Sequence, residues 1–209
     1  ANPVSGTEHI RYLADDFEAE RILRRHSMQG TPCAGPEELD TEKDRLVVAK
    51  PLGEEAAQAV YRFAKTGGRA VMLNQRDVSK SLTGGKTVRY TEDITEIVTM
   101  NVPENSIFSG IDELDLAWFP NGRAVPYVAY GRYSIDRMDP SMCALGETLQ
   151  WHNYIAKPTD YDKLGGTPLF VLEAGQGAIL FSSIRTDADR MDPVACRLTD
   201  NLLNWDFVW

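Results

Sequence analysis

The segment Asp44–Gln75, DRLVVAKPLGEEAAQAVYRFAKTGGRAVMLNQ, restricts the fold more than any other part of the chain. DRLVVAK (44–50) is a short, nearly continuous apolar run, which is the signature of a strand buried on both faces. GEEAAQAVYRFAKTGG (53–68) follows as a helix. Ala56, Val60, Phe63 and Ala64 recur at helical spacing, acids occupy the first turn, and Gly67-Gly68 ends it. RAVMLNQ (69–75) is a second buried strand with an abrupt polar exit at Asn74-Gln75. Strand, helix and strand in such quick succession predict a right-handed parallel βαβ unit.

The flanks extend this α/β pattern. HIRYLAD (9–15) reads as a strand and FEAERILRRHS (17–27) as a helix capped by Asp15 or Asp16. The middle is less regular. Residues 81–102 read as strand or loop, 106–119 as a turn with an acidic-apolar piece, 125–130 and 147–155 as strands, and 158–168 as a loop. Residues 168–186 predict a β-hairpin around Ala174-Gly175-Gln176-Gly177. Residues 192–205 predict a closing helix with Asp192 at the cap and Pro193 at its first position. Two near-identical octamers, DRMDPSMC (136–143) and DRMDPVAC (189–196), read as two helix starts sharing an Asp-Pro cap. A sharper reading sets them side by side along a cleft, with Asp136, Arg137, Asp189 and Arg190 at its edge.

A length of 209 residues suits one large α/β domain or two small ones, and the start without Met leads us to expect a segment of a longer protein. The formal net charge of −9 argues against non-specific attraction to nucleic acid or anionic membrane. No apolar run reaches the roughly 18–20 residues that span a bilayer. The N-terminal residues lack the basic and apolar regions of a signal peptide. Cys33, Cys143 and Cys196 make no disulfide framework and no metal-ligand pair by spacing, so they read as buried thiols.

No strong catalytic motif is present in the sequence. His9, His26 and His152 form no His-Glu or His-x-His arrangement, so a zinc site of ordinary type is not expected, and no cofactor is. Carboxylates at Asp112, Glu113, Asp115, Asp160, Asp162, Asp187 and Asp189 read mainly as solvated surface or caps. A glycosidase would need two carboxyls roughly 5–10 Å apart. TDADRMD lacks the glycine and terminal Glu of a calcium loop, and LTGGKT lacks the first glycine of a phosphate loop. There is no G-x-S-x-G elbow. Trp151-His152-Asn153 reads first as a strand alternating core and surface, and its aromatic and amide character would also suit a sugar-lining segment.

Three stretches, in order, resemble the class I glutamine amidotransferase-like domain, in the variant appended to glycoside hydrolase family 2 and β-galactosidase-like enzymes. They are 45–75, NSIFSGIDELDLAWF (105–119), and 169–205 with its Glu before a Gly-x-Gly hairpin and its final Asn-Leu-Leu helix. The resemblance implies a flavodoxin-like, doubly wound, mostly parallel sheet with helices on both faces, plus a C-terminal β-hairpin and helix, forming a single domain over 1–209. Catalytic relatives carry a Cys after the strand matching 69–73 and a His and Glu after the strand matching 178–183. Here those places hold Asn74 and Gln75, and Ser183, Arg185, Thr186 and Asp187, so nucleophile and base do not carry over.

These readings lead to a non-catalytic accessory domain of a glycan-degrading enzyme. In such sheets ligands bind at the carboxyl ends of the strands. That rim would comprise Asp15, Asp16, Lys50, Pro51, Asn74, Gln75, Arg185 and Asp187. Two rivals remain: a small hydrolase using a rim carboxylate such as Asp15 or Asp187, and a carbohydrate-binding module contacting sugar through Trp118, Trp151 and His152. The expected partners are neighbouring domains of the parent chain, with a second copy and carbohydrate as further candidates and neither nucleic acid nor membrane. The compartment is left open, periplasmic or secreted if the parent degrades extracellular glycans.

Overall fold

The structure, a computed structural model, describes residues 9–95, 97–112, 115–117, 128–134, 140–149 and 166–205. Strands β1 (His9–Leu13), β2 (Gly30–Cys33), β3 (Asp44–Val48) and β4 (Arg69–Leu73) alternate with helices α1 (Phe17–Arg25) and α2 (Glu54–Lys65). Then come β5 (Arg89–Thr95), β6 (Ile97–Met100), β7 (Ala129–Ser134), β8 (Met142–Ala144) and β9 (Gly146–Leu149). The hairpin β10 (Leu169–Ala174) and β11 (Gly177–Ser182) and helix α3 (Pro193–Leu203) close the chain.

Among the described residues the central sheet has seven strands in the order β2-β1-β3-β4-β11-β10-β8. The first five are mutually parallel, and β10 and β8 join antiparallel at one side. This is a flavodoxin-like α/β fold: β1 to β4 and β11 reproduce the doubly wound order in which the winding reverses between β1 and β3. Two smaller antiparallel pairs, β5 with β7 and β6 with β9, complete it.

The period of two along each central strand sorts side chains into two cores. Val47, Val71, Leu73, Val171 and Leu180 face one side, where α1 (Ala19, Ile22, Leu23) and α3 (Ala195, Leu198, Leu202) cover them. Leu46, Val48, Met72, Phe170 and Phe181 face the other, where α2 (Ala57, Val60, Phe63, Ala64) packs. Burial on both faces is why these strands read as continuous apolar runs. Helices α1 and α3 each start at an aspartate cap, whereas α2 starts at Gly53 without a side-chain cap. The Asp16 carboxylate accepts the Ala19 N–H at 3.0 Å. The Asp192 carboxylate accepts from Val194 and Ala195, with Pro193 at the first turn, where its missing N–H costs nothing.

Three sequence expectations change. The strand β2 (Gly30–Cys33) is unanticipated: its Gly and Pro suggest a turn, yet on the sheet edge a Pro is tolerated because one side needs no ladder hydrogen bond. The first octamer does not start a helix; Met142–Ala144 instead form β8, paired to β10. The strand expected over 125–130 runs as Ala129–Ser134, and the one expected over 147–155 is described only as Gly146–Leu149. Asp136, Arg137, Glu113, Asp160, Asp162, Trp118, Trp151 and His152 lie outside the described residues. No helix among the described residues is long and apolar enough to cross a membrane.

Candidate functional site at the carboxyl ends of the strands

Asp15 and Asp16 leave β1, Lys50 follows β3, Asn74 and Gln75 leave β4, and Arg185, Thr186 and Asp187 follow β11. The fold therefore brings the rim residues anticipated from sequence to one edge of the sheet, and hydrogen bonds knit them together. At the reversal point between β1 and β3, Asp16 is 1% exposed. Besides capping α1, its second oxygen accepts the backbone N–H groups of Ala49 (2.7 Å) and Lys50 (3.1 Å). The position where flavodoxin-like sheets receive a ligand is thus spanned by a carboxylate already bound to three amides. Beside it, Lys50 Nζ lies 2.5 Å from Asp15, whose carboxyl the hydrogen bond and charge of Lys50 hold below its usual pKa. A hollow of about 670 Å³ opens there, lined by Asp15, Gly35, Pro36, Lys50, Glu54 and Arg62 among others.

The exit of β4 is a backbone elbow. Asn74 has φ 56°, in the left-handed region that few non-glycine residues occupy and that Asn tolerates better than most. Its N–H donates to the Ser182 carbonyl at 2.7 Å, which fixes the elbow to β11, and its Nδ2 stands 3.4 Å from Thr186 Oγ1. The Gln75 side chain turns inward, donating from Nε2 to the carbonyls of Lys50 (3.0 Å) and Leu73 (3.1 Å). From below, the Tyr133 hydroxyl donates to the Gln75 carbonyl at 3.0 Å. Tyr133 is fully buried, edge-on to Phe170 and Phe181, and burial pushes its phenol pKa far up, so it acts as a fixed donor.

After β11, Arg185 is 1% exposed and clasps Asp187 with two parallel bonds, Nε to Oδ1 at 3.0 Å and a terminal nitrogen to Oδ2 at 3.1 Å. The Tyr130 hydroxyl donates to the same Oδ1 at 2.7 Å. Burial alone would raise the Asp187 pKa, but the bonds from Arg185 and Tyr130 and the Arg185 charge outweigh it and the net shift is downward. Tyr130 and Tyr133 escaped the sequence reading. Both come from β7, which crosses onto the β11 exit through the Tyr130–Ser183 and Arg185–Val128 backbone bonds, a pairing across more than fifty residues that no local pattern announces. Ser183, the first residue past β11, is fully buried and donates to the Gly131 carbonyl at 2.6 Å, so it is no exposed nucleophile.

Most polar groups of this rim are paired, but the buried Asn74 Oδ1 has no hydrogen-bond partner among the described residues. Of its three acids, Asp15 pairs with Lys50 and Asp187 with Arg185, while Asp16 is held by backbone N–H groups. Asp15 follows β1 and Asp187 follows β11, strands three steps apart in the sheet. On the α1 side, a second hollow of about 410 Å³ is lined by Phe17, Glu20, Arg21, Arg24, Arg25 and Arg190. Phe17 (75% exposed) and the neighbouring-turn Met191 (51%) are large apolar side chains left in solvent. Arg25 reaches from this hollow to the Thr186 carbonyl at 3.1 Å, joining it to the rim.

Fold and site together define a flavodoxin-like α/β domain whose β4 elbow carries an amide. Among solved structures, the chain is similar to a cytoplasmic protein from Salmonella typhimurium, at 12% identity and a TM-score of 0.58, covering 94% of this chain and 98% of that one. It is similar also to a ThuA-like protein from Bacteroides uniformis (12%, 0.52, 98% and 94%). A third is a cold-adapted β-galactosidase from Rahnella sp. R3, at 13% identity and 0.54, covering 95% of this chain but only 31% of the enzyme. At such identities the likeness defines the fold alone. No family model and no curated protein sequence matches the chain.

Proposed function

We propose that this chain is a glutamine amidotransferase-like domain that has exchanged catalysis for an accessory, structural role in a glycan-degrading glycoside hydrolase. One observation carries the reading: the β4 elbow keeps the left-handed backbone that presents a nucleophile, yet Asn74 stands on it. An amide has no ionisable nucleophilic atom, and acyl transfer by this route requires a thiolate with an adjacent base. Where the base would follow β11, the Arg185–Asp187–Tyr130 cluster supplies an ionised, triply bonded carboxylate instead.

Two further features support an accessory role. The match to the Rahnella β-galactosidase spans nearly all of this chain and about a third of that enzyme, the proportion of one domain in a larger hydrolase. The Phe17 face, with Glu20, Arg21, Arg24 and Arg190 around it, combines exposed apolar area with arginine, the composition of an interface centre. On a chain with net charge −9 this local basic rim suits an acidic face of a neighbouring domain.

The same fold also matches proteins of its own length end to end, so the parent reading frame is the discriminating experiment. Sequencing the gene across both ends of this segment should reveal a glycoside hydrolase catalytic domain in the same frame. A frame without one removes the hydrolase part of the proposal.

A further inference from the structure

Away from the rim, the carboxyl end of α1 meets α3 at a second cluster of polar side chains. His26 is the C-cap of α1, and its imidazole is 2% exposed. Cys196 and Asp200 lie four residues apart on α3, so the helix projects both from one side. His26 Nδ1 is 2.6 Å from Asp200 Oδ1. The imidazole nitrogen, the Cys196 sulfur and the Asp200 oxygen all lie within 4.8 Å of one another.

We propose that His26, Cys196 and Asp200 form a binding site for a divalent transition-metal ion, with zinc the best match. Imidazole, thiolate and carboxylate are the side chains zinc takes, at about 2.0–2.3 Å, which sets ligand atoms around a tetrahedral ion roughly 3.3–3.7 Å apart. The cluster brackets that separation, from its 2.6 Å pair to its 4.8 Å limit. Side-chain adjustments on the order of 1 Å therefore admit the ion, without moving either helix.

Charge favours the same ion. A thiolate and a carboxylate bring two negative charges and a neutral imidazole none, so the loaded site is neutral and no net charge is buried beside the imidazole. On binding, the Cys196 thiol releases its proton to solvent to give the thiolate, and the imidazole proton resides on Nε2, leaving the Nδ1 lone pair for the metal. The Asp200 side chain is 39% exposed, which leaves a fourth position open to water. Calcium and magnesium are the poorer match because they prefer all-oxygen shells. The ion would pin α1 to α3 on the face opposite α2, independently of any role at the strand ends.

Spectroscopic titration of the full 209-residue chain tests the site. The expected result is one equivalent of Co²⁺ bound per chain with a thiolate-to-metal charge-transfer absorption, displaced by one equivalent of Zn²⁺. Cys196→Ser should abolish the absorption, and Asp200→Asn should weaken Zn²⁺ binding by about tenfold or more. Cys33→Ser and Cys143→Ser should leave both unchanged. Zn²⁺ should also raise the melting temperature in step with its free concentration. Should Cys196→Ser fail to fold, Asp200→Asn and reversible thiol blocking of the folded chain carry the same comparison. Absence of stoichiometric binding by the unaltered chain, or an absorption that survives loss of the Cys196 thiol, overturns the proposal.

Discussion

Asn74 Nδ2 faces Thr186 Oγ1 at 3.4 Å across the ends of β4 and β11. The two strands are tied just below by the Asn74 N–H to Ser182 carbonyl bond at 2.7 Å. A side chain on a positive-φ elbow thus meets the polar exit of the adjacent parallel strand. A nucleophile and its base would meet in that arrangement, and here an amide meets a hydroxyl.

The elbow makes a stability prediction. With φ at 56°, Asn74→Gly removes backbone strain and should be neutral or stabilising in urea denaturation. Asn74→Ala should cost about 1 kcal/mol, and a β-branched Asn74→Val more. Asn74→Cys should behave like Ala in stability and gain no glutaminase activity, because the residues after β11 offer the new thiol no histidine. Equal stability of the Gly and Ala variants would contradict the left-handed assignment.

Asp16 spans the winding reversal through three backbone N–H groups. Asp16→Ala strips the cap of α1 and strands two amides at the β3 exit, so it should destabilise the domain by about 2–4 kcal/mol. Urea denaturation measures the loss. A change under about 0.5 kcal/mol, ordinary for a surface substitution, would show that the carboxylate is not structural.

How much of this was readable beforehand varies with range along the chain. The cap of α1 by Asp16 is local and legible, but its grip on Ala49 and Lys50 crosses more than thirty residues and is not. The polar exit of β4 followed from Asn74-Gln75 at the end of an apolar run; the positive φ had no sequence mark, because Asn is also an ordinary turn residue. β2 was missed because Gly30 and Pro32 look like a turn until β1 offers them a parallel partner. His26 and Cys196 lie far apart in sequence, and the four-residue spacing of Cys196 and Asp200 on one helix went unread.

The Arg185–Asp187 clasp predicts a pH effect. The folded pKa of Asp187 lies below its unfolded value, so its stabilisation is present above the unfolded pKa of about 3.9 and is lost as pH falls through the folded value. Asp187→Asn should therefore flatten the acid limb of the stability–pH curve below about pH 4. At neutral pH it should cost about 1 kcal/mol, a modest figure because the Asp187 side chain is 50% exposed and solvent screens it. An unchanged acid limb in Asp187→Asn would remove the clasp from the account.

The Phe17 face predicts a separation of stability from docking. Phe17→Ser with Arg24→Gln changes exposed side chains and should shift the stability of the isolated domain by no more than about 0.5 kcal/mol per site. Within a parent hydrolase the pair should uncouple the domain, splitting off a separate transition in differential scanning calorimetry. A single unchanged transition would place the docking face elsewhere.

Turnover by the purified chain tests the central claim most directly. Assays for ammonia release from glutamine and for nitrophenol release from nitrophenyl galactoside and mannoside should give no rate above the protein-free blank. A rate that Asp15→Asn or Asp187→Asn abolishes would contradict the account and make the strand-end rim a working active site.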